Sequence, residues 1–274
     1  MTLLQAIVMA VLQGVTELFP ISSLGHAVLV PALLHWAVDE NAEGFLPFLA
    51  VMHLGTAVAL LGYFWRDWLS FAGSVLAFRN PAGAADRRLF WRVVVATIPA
   101  VLIGFFLEKT LRRGFGAPTI AAVFLIVNGV MLFAAERLKR SVTRPLAELR
   151  WRDAVIIGLW QCLALIPGMS RSGATMAGGY LTGLNHEDAA RFSFLTATPI
   201  IMGAVVLEGP KLIRHGQGFS SVAILAGVVA GVTALISVAA LMRWFKVQEV
   251  RGFDPFAIYC ALAGLGSLAV LTLR

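Results

Sequence analysis

The chain has 274 residues, of which 59% are hydrophobic and 14% charged, with a mean hydropathy of +0.83. Soluble domains carry about 25% charged residues, and a chain this short cannot enclose so large an apolar fraction in one soluble core; disorder is excluded on the same ground. The formal charge of +7 would suggest nucleic acid in a soluble protein, but the basic residues fall between apolar runs, where membrane orientation places them, so nucleic acid is not an expected partner.

At about 20 residues per crossing, the apolar content allows up to eight membrane-sized segments. Apolar runs occupy 3–34, 45–65, 89–108, 117–135, 154–182, 191–208, 219–242 and 255–273. The first and fifth are interrupted midway, by Phe19-Pro20-Ile21-Ser22-Ser23 and by Ile166-Pro167-Gly168-Met169-Ser170-Arg171-Ser172-Gly173. Proline and glycine there stop a helix and free backbone groups that hydrocarbon cannot satisfy. Such segments persist at membrane depth only when buried in protein or lining a wet cavity. The sequence therefore predicts an all-α polytopic membrane protein with six transmembrane helices and two re-entrant helical hairpins. Because the first Lys or Arg is Arg66, the apolar start lacks the basic flank of a signal peptide and is expected to stay in the mature protein.

Loop charge orients this layout. The loops 66–92, 137–152 and 243–251 carry 14 Lys and Arg, against 5 in 36–44, 109–116 and 209–218. The first set is therefore predicted to be cytoplasmic, with both termini outside, the first hairpin dipping in from the outer face and the second from the cytoplasm. Trp36, Trp65, Trp68, Trp91, Trp151 and Trp244 lie near run ends, as an aromatic belt would. Gln13-to-Gly25 and Gln161-to-Gly173 share an order of Gln, Pro, Ser and Gly, and each broken hairpin precedes a span opening on Phe. One membrane domain, 1–274, is thus expected to be an inverted repeat of halves about 1–135 and 150–274, with a site at their interface.

The first break brings four polar groups together. Gln13 and Glu17 share a helix face, as do Ser22 and His26 on the returning helix. Ionisable residues at membrane depth are expensive and functional by default. In the second break, Gly168 and Gly173 let backbone approach a ligand, a helix N-terminus follows, Ser170, Ser172 and Thr175 add hydroxyls, and Arg171 adds a planar fork suited to phosphate. The structural alternative is a plain Arg171–Glu17 pair. Glu17 alone offers too few ligands for a bare divalent ion, whereas a metal shared between one carboxylate and two phosphates is ordinary magnesium chemistry. The implied substrate is a lipid carrying a diphosphate.

These residues resemble a known family. Gln13-xxx-Glu17 followed by Pro20, Ser22, Ser23, Gly25 and His26 is similar to the (E/Q)xxxE and P-x-S-S-x-G-H pattern of the undecaprenyl-diphosphatases, the BacA-type bacitracin-resistance proteins. Pro167 to Thr175 matches that family's PGxSRSGxT pattern at every fixed position. Supporting matches are Phe64-Trp65-Arg66, Thr97-Ile98-Pro99-Ala100, Phe192-Ser193-Phe194 and Pro255-Phe256-Ala257-Ile258-Tyr259.

The resemblance implies a bacterial inner-membrane phosphatase that removes the terminal phosphate of undecaprenyl diphosphate, recycles the carrier lipid for peptidoglycan synthesis and confers bacitracin resistance. It further implies a divalent metal, Mg2+ or Ca2+, and a site open to the outer face. Two positions differ from many members: Gln13 stands where many have Glu, leaving Glu17 the only carboxylate of the cluster, and Cys260 where members often have Arg.

The expected site is then Glu17, His26, Arg171 and Ser23 for catalysis. Arg171, Ser170, Ser172, Gly168, Gly173, Thr175 and Ser22 would bind phosphate, and Glu17 with Gln13 would hold metal. Either His26 attacks phosphorus, or it serves as general acid–base while Ser23 or water attacks. The expected partners are a polyprenyl diphosphate lipid, membrane lipids and, as a candidate, a second copy in a homodimer. A lipid-phosphate transporter or flippase is the alternative, since inverted repeats with broken helices also build transporters. Bland readings go to His53 and Asn128 as interhelical hydrogen-bonders, to Cys162 and Cys260 as small hydrophobes, to Glu108 and Glu208 as helix ends at the interface, and to His35, His186 and His215, which carry no site signal. Trp160 either packs at the second hairpin or lines a lipid groove.

Overall fold

A computed structural model describes residues 1–36, 45–112, 117–138, 143–214, 221–248 and 250–273. Of the expected outer loops 36–44, 109–116 and 209–218, residues 37–44, 113–116 and 215–218 lie outside the described residues, as do the side chains of Glu108, Glu208 and His215. The described chain forms α1 (Leu3–Thr16), α2 (Ser23–Leu33), α3 (Phe45–Tyr63), α4 (Trp65–Leu76), α5 (Ala84–Arg112), α6 (Pro118–Arg137), α7 (Trp151–Gln161), α8 (Arg171–Leu181), α9 (His186–Arg214), α10 (Ser221–Val247) and α11 (Asp254–Thr272).

Five stretches, one in α5 with the turn just before it and the others in α6, α9, α10 and α11, are long and apolar enough to cross a bilayer, and α3 with α4 makes a sixth if the bent pair is one span. At about 1.5 Å per residue, the 14-residue α1 and the 11-residue α2, α7 and α8 fall well short of a hydrocarbon core about 30 Å thick. These four helices are the arms of the two hairpins. The protein is a multi-pass membrane protein, and its outward surface agrees: Leu4, Phe106, Val228 and Leu262 all stand exposed, as lipid-facing side chains do.

Without a hydrophobic drive between helices in lipid, association rests on close packing of small residues. A Cβ on Gly55 of α3 would lie 2.0 Å from the carbonyl oxygen of Gly227 in α10, and one on Gly129 of α6 would lie 2.7 Å from that of Ala257 in α11. Backbone thus touches backbone along α3–α10 and α6–α11. Trp160 packs its ring on Gly178 of α8, which decides between its two expected places in favour of the second hairpin.

The basic stretch from Arg66 differs from its reading as a loop. It holds α4, turned by 75° from α3, and α5 begins at Ala84, before the apolar run. Asp86 in the first turn of α5 favours the helix N-terminus electrostatically and accepts from Ser70 of α4. Arg191 of α9 pairs with Asp67 of α4, anchoring the turned helix.

His186, given no role from sequence, is also buried in a polar knot. Its Nε2 lies 2.9 Å from Glu136 Oε2, and that carboxylate also accepts from Tyr180 Oη and from the amides of Arg251 and Phe253. Five groups from four segments thereby close the α10–α11 connection.

Candidate active site

The two breaks meet face to face. Freed backbone groups need partners at this depth, and each break supplies them to the other. Ser22 Oγ donates to Met169 O at 3.1 Å, and Ser172 Oγ donates to Phe19 O at 3.1 Å. Asn128 of α6 bridges both: its Nδ2 donates to Pro20 O at 2.9 Å, while its Oδ1 accepts from Ser170 N at 3.0 Å. Asn128 Nδ2 also lies 3.3 Å from Cys260 Sγ. Asn128 thus makes the expected links between elements, and those links hold the site together.

Each helix that leaves a break is capped locally. Ser22 Oγ accepts from Gly25 N at 3.1 Å to start α2, and Ser170 Oγ accepts from Gly173 N at 3.0 Å to start α8, the usual N-cap arrangement. Gly168 has φ +95°, and a Cβ on it would lie 2.3 Å from Ala121 O in α6. Only glycine fits there, because the turn is left-handed and pressed against a neighbouring helix.

Glu17 sits at the centre. Its Oε1 takes Arg171 Nη2 at 3.0 Å and Nε at 3.4 Å. Its Oε2 takes Ser23 Oγ at 2.7 Å and Gln13 Nε2 at 3.1 Å, and His53 Nε2 of α3 lies 3.3 Å from the same oxygen. A buried carboxylate survives when paired and hydrogen-bonded, and Glu17, 6% exposed, is both. Arg171 Nη1 additionally donates to Ser193 O at 3.3 Å.

The other expected residues distribute as follows. Ser170, Ser172 and Thr175 are buried, with their hydroxyls turned onto protein: Ser170 Oγ and Ser172 Oγ are 3.0 Å apart, and Thr175 Oγ1 donates to Arg171 O at 2.8 Å and contacts Ser193 Oγ. His26 Nδ1 lies 2.7 Å from Ser22 O and Nε2 lies 2.7 Å from Tyr259 Oη of α11. The structural alternative for Arg171 is therefore realised as a pair, and it is built into a larger cluster of Gln13, Ser23 and His53.

His53 and Tyr259 stand in the site without a role assigned from sequence, although Tyr259 ends the Pro255–Tyr259 match. A histidine midway along an apolar run was the only signal for His53; its carboxylate partner is on another helix and no spacing rule links them.

The donor set limits how a metal can bind. Among the described residues, no group of three His, Cys, Asp or Glu side chains could hold an ion. Glu17 brings one carboxylate and Gln13 one amide, which fits a hard cation only if most of its oxygens come from phosphate and water.

Helical hairpins embedded among membrane spans, with a buried guanidinium–carboxylate pair at their junction, define an integral membrane protein with a buried polar centre. The chain belongs to the family of the bacitracin resistance protein BacA, whose family model matches residues 6–266. It is 51% identical to an undecaprenyl-diphosphatase of Acidiphilium cryptum over 99% of both chains, and 50% identical to one of Gluconobacter oxydans over the full length of both. An undecaprenyl-diphosphatase of Mycolicibacterium paratuberculosis is 44% identical over 98% of this chain and 97% of the relative.

Proposed function

We propose that the protein hydrolyses undecaprenyl diphosphate to undecaprenyl phosphate and inorganic phosphate in the bacterial inner membrane, returning the carrier lipid to peptidoglycan synthesis and conferring bacitracin resistance. The observation that carries this reading is the Arg171–Glu17 junction, a phosphate-shaped cation and a carboxylate held together by both chain breaks.

Substrate binding is an exchange. Phosphoryl oxygens replace Glu17 on the Arg171 fork, whose planar donors suit them bidentately, and the N-terminus of α8 adds its dipole and amides. Ser170 and Ser172 keep that N-terminus in place by capping it and tying it to Phe19. Thr175 fixes the backbone of Arg171, and Ser22 fixes Met169. Gly168 and Gly173, expected to let backbone approach a ligand, instead let the breaks pack on protein: a Cβ on Gly168 would lie 2.3 Å from Ala121 O and one on Gly173 3.2 Å from Pro20 O. A divalent cation, Mg2+ or Ca2+, held on the protein side by Glu17 with Gln13, would supply charge neutralisation on the diphosphate.

In hydrolysis the bond between the terminal phosphorus and the bridging oxygen breaks. Its electron pair leaves with undecaprenyl phosphate, and a new phosphorus–oxygen bond ultimately comes from water. A carbonyl oxygen only accepts, so His26 Nδ1, facing Ser22 O, carries the proton and the lone pair is on Nε2. That atom either attacks phosphorus, to be released later by water, or takes the proton from water or Ser23 as either attacks. Rapid quench distinguishes these: an acid-labile, base-stable phosphoenzyme absent from His26→Ala marks the first route, and resolved single-turnover chemistry without one marks the second.

The site opens to the outer face, in keeping with the loop charges. The two halves, about 1–135 and 150–274, form an inverted repeat, supported by matching packing: α1 and α3 lie on α10 as α7 and α9 lie on α5, and α6 pairs with α11. Phosphorus NMR of purified protein in detergent with a prenyl diphosphate and Mg2+ tests the activity. The diphosphate signals should give way to one monoester and one inorganic phosphate signal. Persistence of the diphosphate, or release of pyrophosphate instead, would overturn the assignment.

A further inference from the structure

The geometry around His26 points to a role for Tyr259: we infer that its hydroxyl covers the reactive nitrogen of His26 and passes to a phosphoryl oxygen when the lipid diphosphate binds, making Tyr259 a positioning residue for the reaction. This rests on the phosphatase reading above and deepens it.

Three observations carry the inference. First, only one nitrogen of His26 is available for chemistry, because Nδ1 is committed to Ser22 O at 2.7 Å. Second, that nitrogen already has a partner. Tyr259 Oη lies 2.7 Å from Nε2, and the two rings lie nearly parallel, 12° apart with centroids separated by 5.7 Å. With the lone pair on Nε2, the phenol is the donor. Third, Tyr259 sits at a boundary. It is 43% exposed while His26 is 6% exposed, and Ile258 and Leu262 beside it on α11 face outward. The phenol therefore stands between the lipid-facing side of α11 and the buried imidazole.

Two consequences follow. In the substrate-free protein the Oη–H bond keeps the ring in one tautomer and one orientation, and it occupies the lone pair. His26 becomes reactive only when the hydroxyl finds another acceptor. A phosphoryl oxygen brought up to Nε2 comes within reach of a hydroxyl already 2.7 Å from that atom, so the substrate itself supplies the acceptor. The hydrogen bond is exchanged rather than lost, and the lone pair is released only where there is phosphate to receive it.

Tyr259→Phe keeps the ring and removes the hydroxyl. In protein labelled with 15N-histidine, a variant His26→Gln assigns the His26 resonances among those of the five histidines. The expected spectrum has a protonated Nδ1 and a hydrogen-bonded Nε2 in the wild type; in Tyr259→Phe the Nδ1 proton stays and the Nε2 signal moves downfield to that of a free imine-type nitrogen. An unchanged Nε2 signal overturns the contact. In steady-state assays Tyr259→Phe should lower kcat about 10-fold or more, on the scale of general acid–base effects, with KM changed less than about twofold, the division expected of a group acting at the transition state. A hydroxyl that only braces α11 against α2 would lower the melting temperature and leave kcat alone, and that result overturns the role. Should Tyr259→Phe fail to fold, replacing the three tyrosines with 3-fluorotyrosine strengthens the donor without changing the fold, and the Nε2 signal must then move upfield; no movement overturns the contact. A wild-type protein that releases no phosphate overturns the phosphatase reading, whereas the spectra test the Tyr259 contact in either case.

Discussion

Arg171 closes on a single oxygen of Glu17, with Nη2 at 3.0 Å and Nε at 3.4 Å, from a position 154 residues away in the chain. That leaves the second oxygen to Ser23, Gln13 and His53. The carboxylate is thus divided between a side facing the guanidinium, which phosphate displaces in the proposed exchange, and a side held by three other groups. Each half of this arrangement can be perturbed separately.

Arg171→Ala removes the side that phosphate takes over and leaves Glu17 buried without its guanidinium. Breaking a buried pair in this way costs about 3–5 kcal/mol, so the melting temperature in detergent should drop sharply and kcat/KM should fall about 1000-fold. Arg171→Lys retains the charge without the fork and should lie between the two. A variant Arg171→Ala that matches the wild-type rate would remove Arg171 from the site.

His53→Ala tests the holding side. Glu17 loses one of its Oε2 partners but keeps Arg171, so substrate binding should change little while kcat falls about 10-fold, the scale of about 1.4 kcal/mol of lost transition-state stabilisation. His53→Gln, which retains a donor, should recover most of it. Equal damage from both substitutions would show that the imidazole packs rather than orients.

Asn128 joins the two breaks, through Pro20 O and Ser170 N, and has no part in the proposed chemistry. Asn128→Ala leaves Pro20 O and Ser170 N without their partner, and each buried unsatisfied group costs about 1–3 kcal/mol. Thermal unfolding should therefore shift by at least the lower figure for one group. A melting temperature equal to that of the wild type contradicts the bridge.

Gly168→Ala should be more damaging than any other Gly→Ala change near the breaks, because it combines a left-handed φ of +95° with a Cβ 2.3 Å from Ala121 O. Strain of this kind costs about 1–3 kcal/mol before the clash is counted. Gly62→Ala is the control: a Cβ there meets nothing within 4 Å, and stability should be unchanged or raised by about 0.5–1 kcal/mol. Comparable melting of the two variants would contradict the close approach.

The hairpins were legible in the sequence because Pro20 and Pro167-Gly168 interrupt otherwise apolar runs, and a break in such a run has few physical readings. Glu17 and Arg171 stood out for the cost of charge at depth. α4 was not legible: its Arg66 and Asp67 read as loop, and only the contacts of Asp67 with Arg191 and of Ser70 with Asp86 show why a charged helix turns there. The residue types of Ser170, Ser172 and Thr175 suggest hydroxyls facing a ligand, whereas in the structure they satisfy backbone and one another. Their residue types advertise hydrogen bonding but not its direction. His53 and Tyr259 reach Glu17 and His26 from other helices, and such pairings depend on tertiary packing that no local spacing encodes.

The proposed hydrolysis of a lipid diphosphate stands on Glu17 and Arg171 acting together. Its most direct test is the initial rate of inorganic phosphate release from a prenyl diphosphate by purified protein in detergent with Mg2+, compared with Glu17→Ala. Sustained turnover is expected of the wild type, with a loss of at least about 100-fold in the variant, the scale of one preorganised catalytic group. Equal rates from the two proteins, or no release by either, would contradict it.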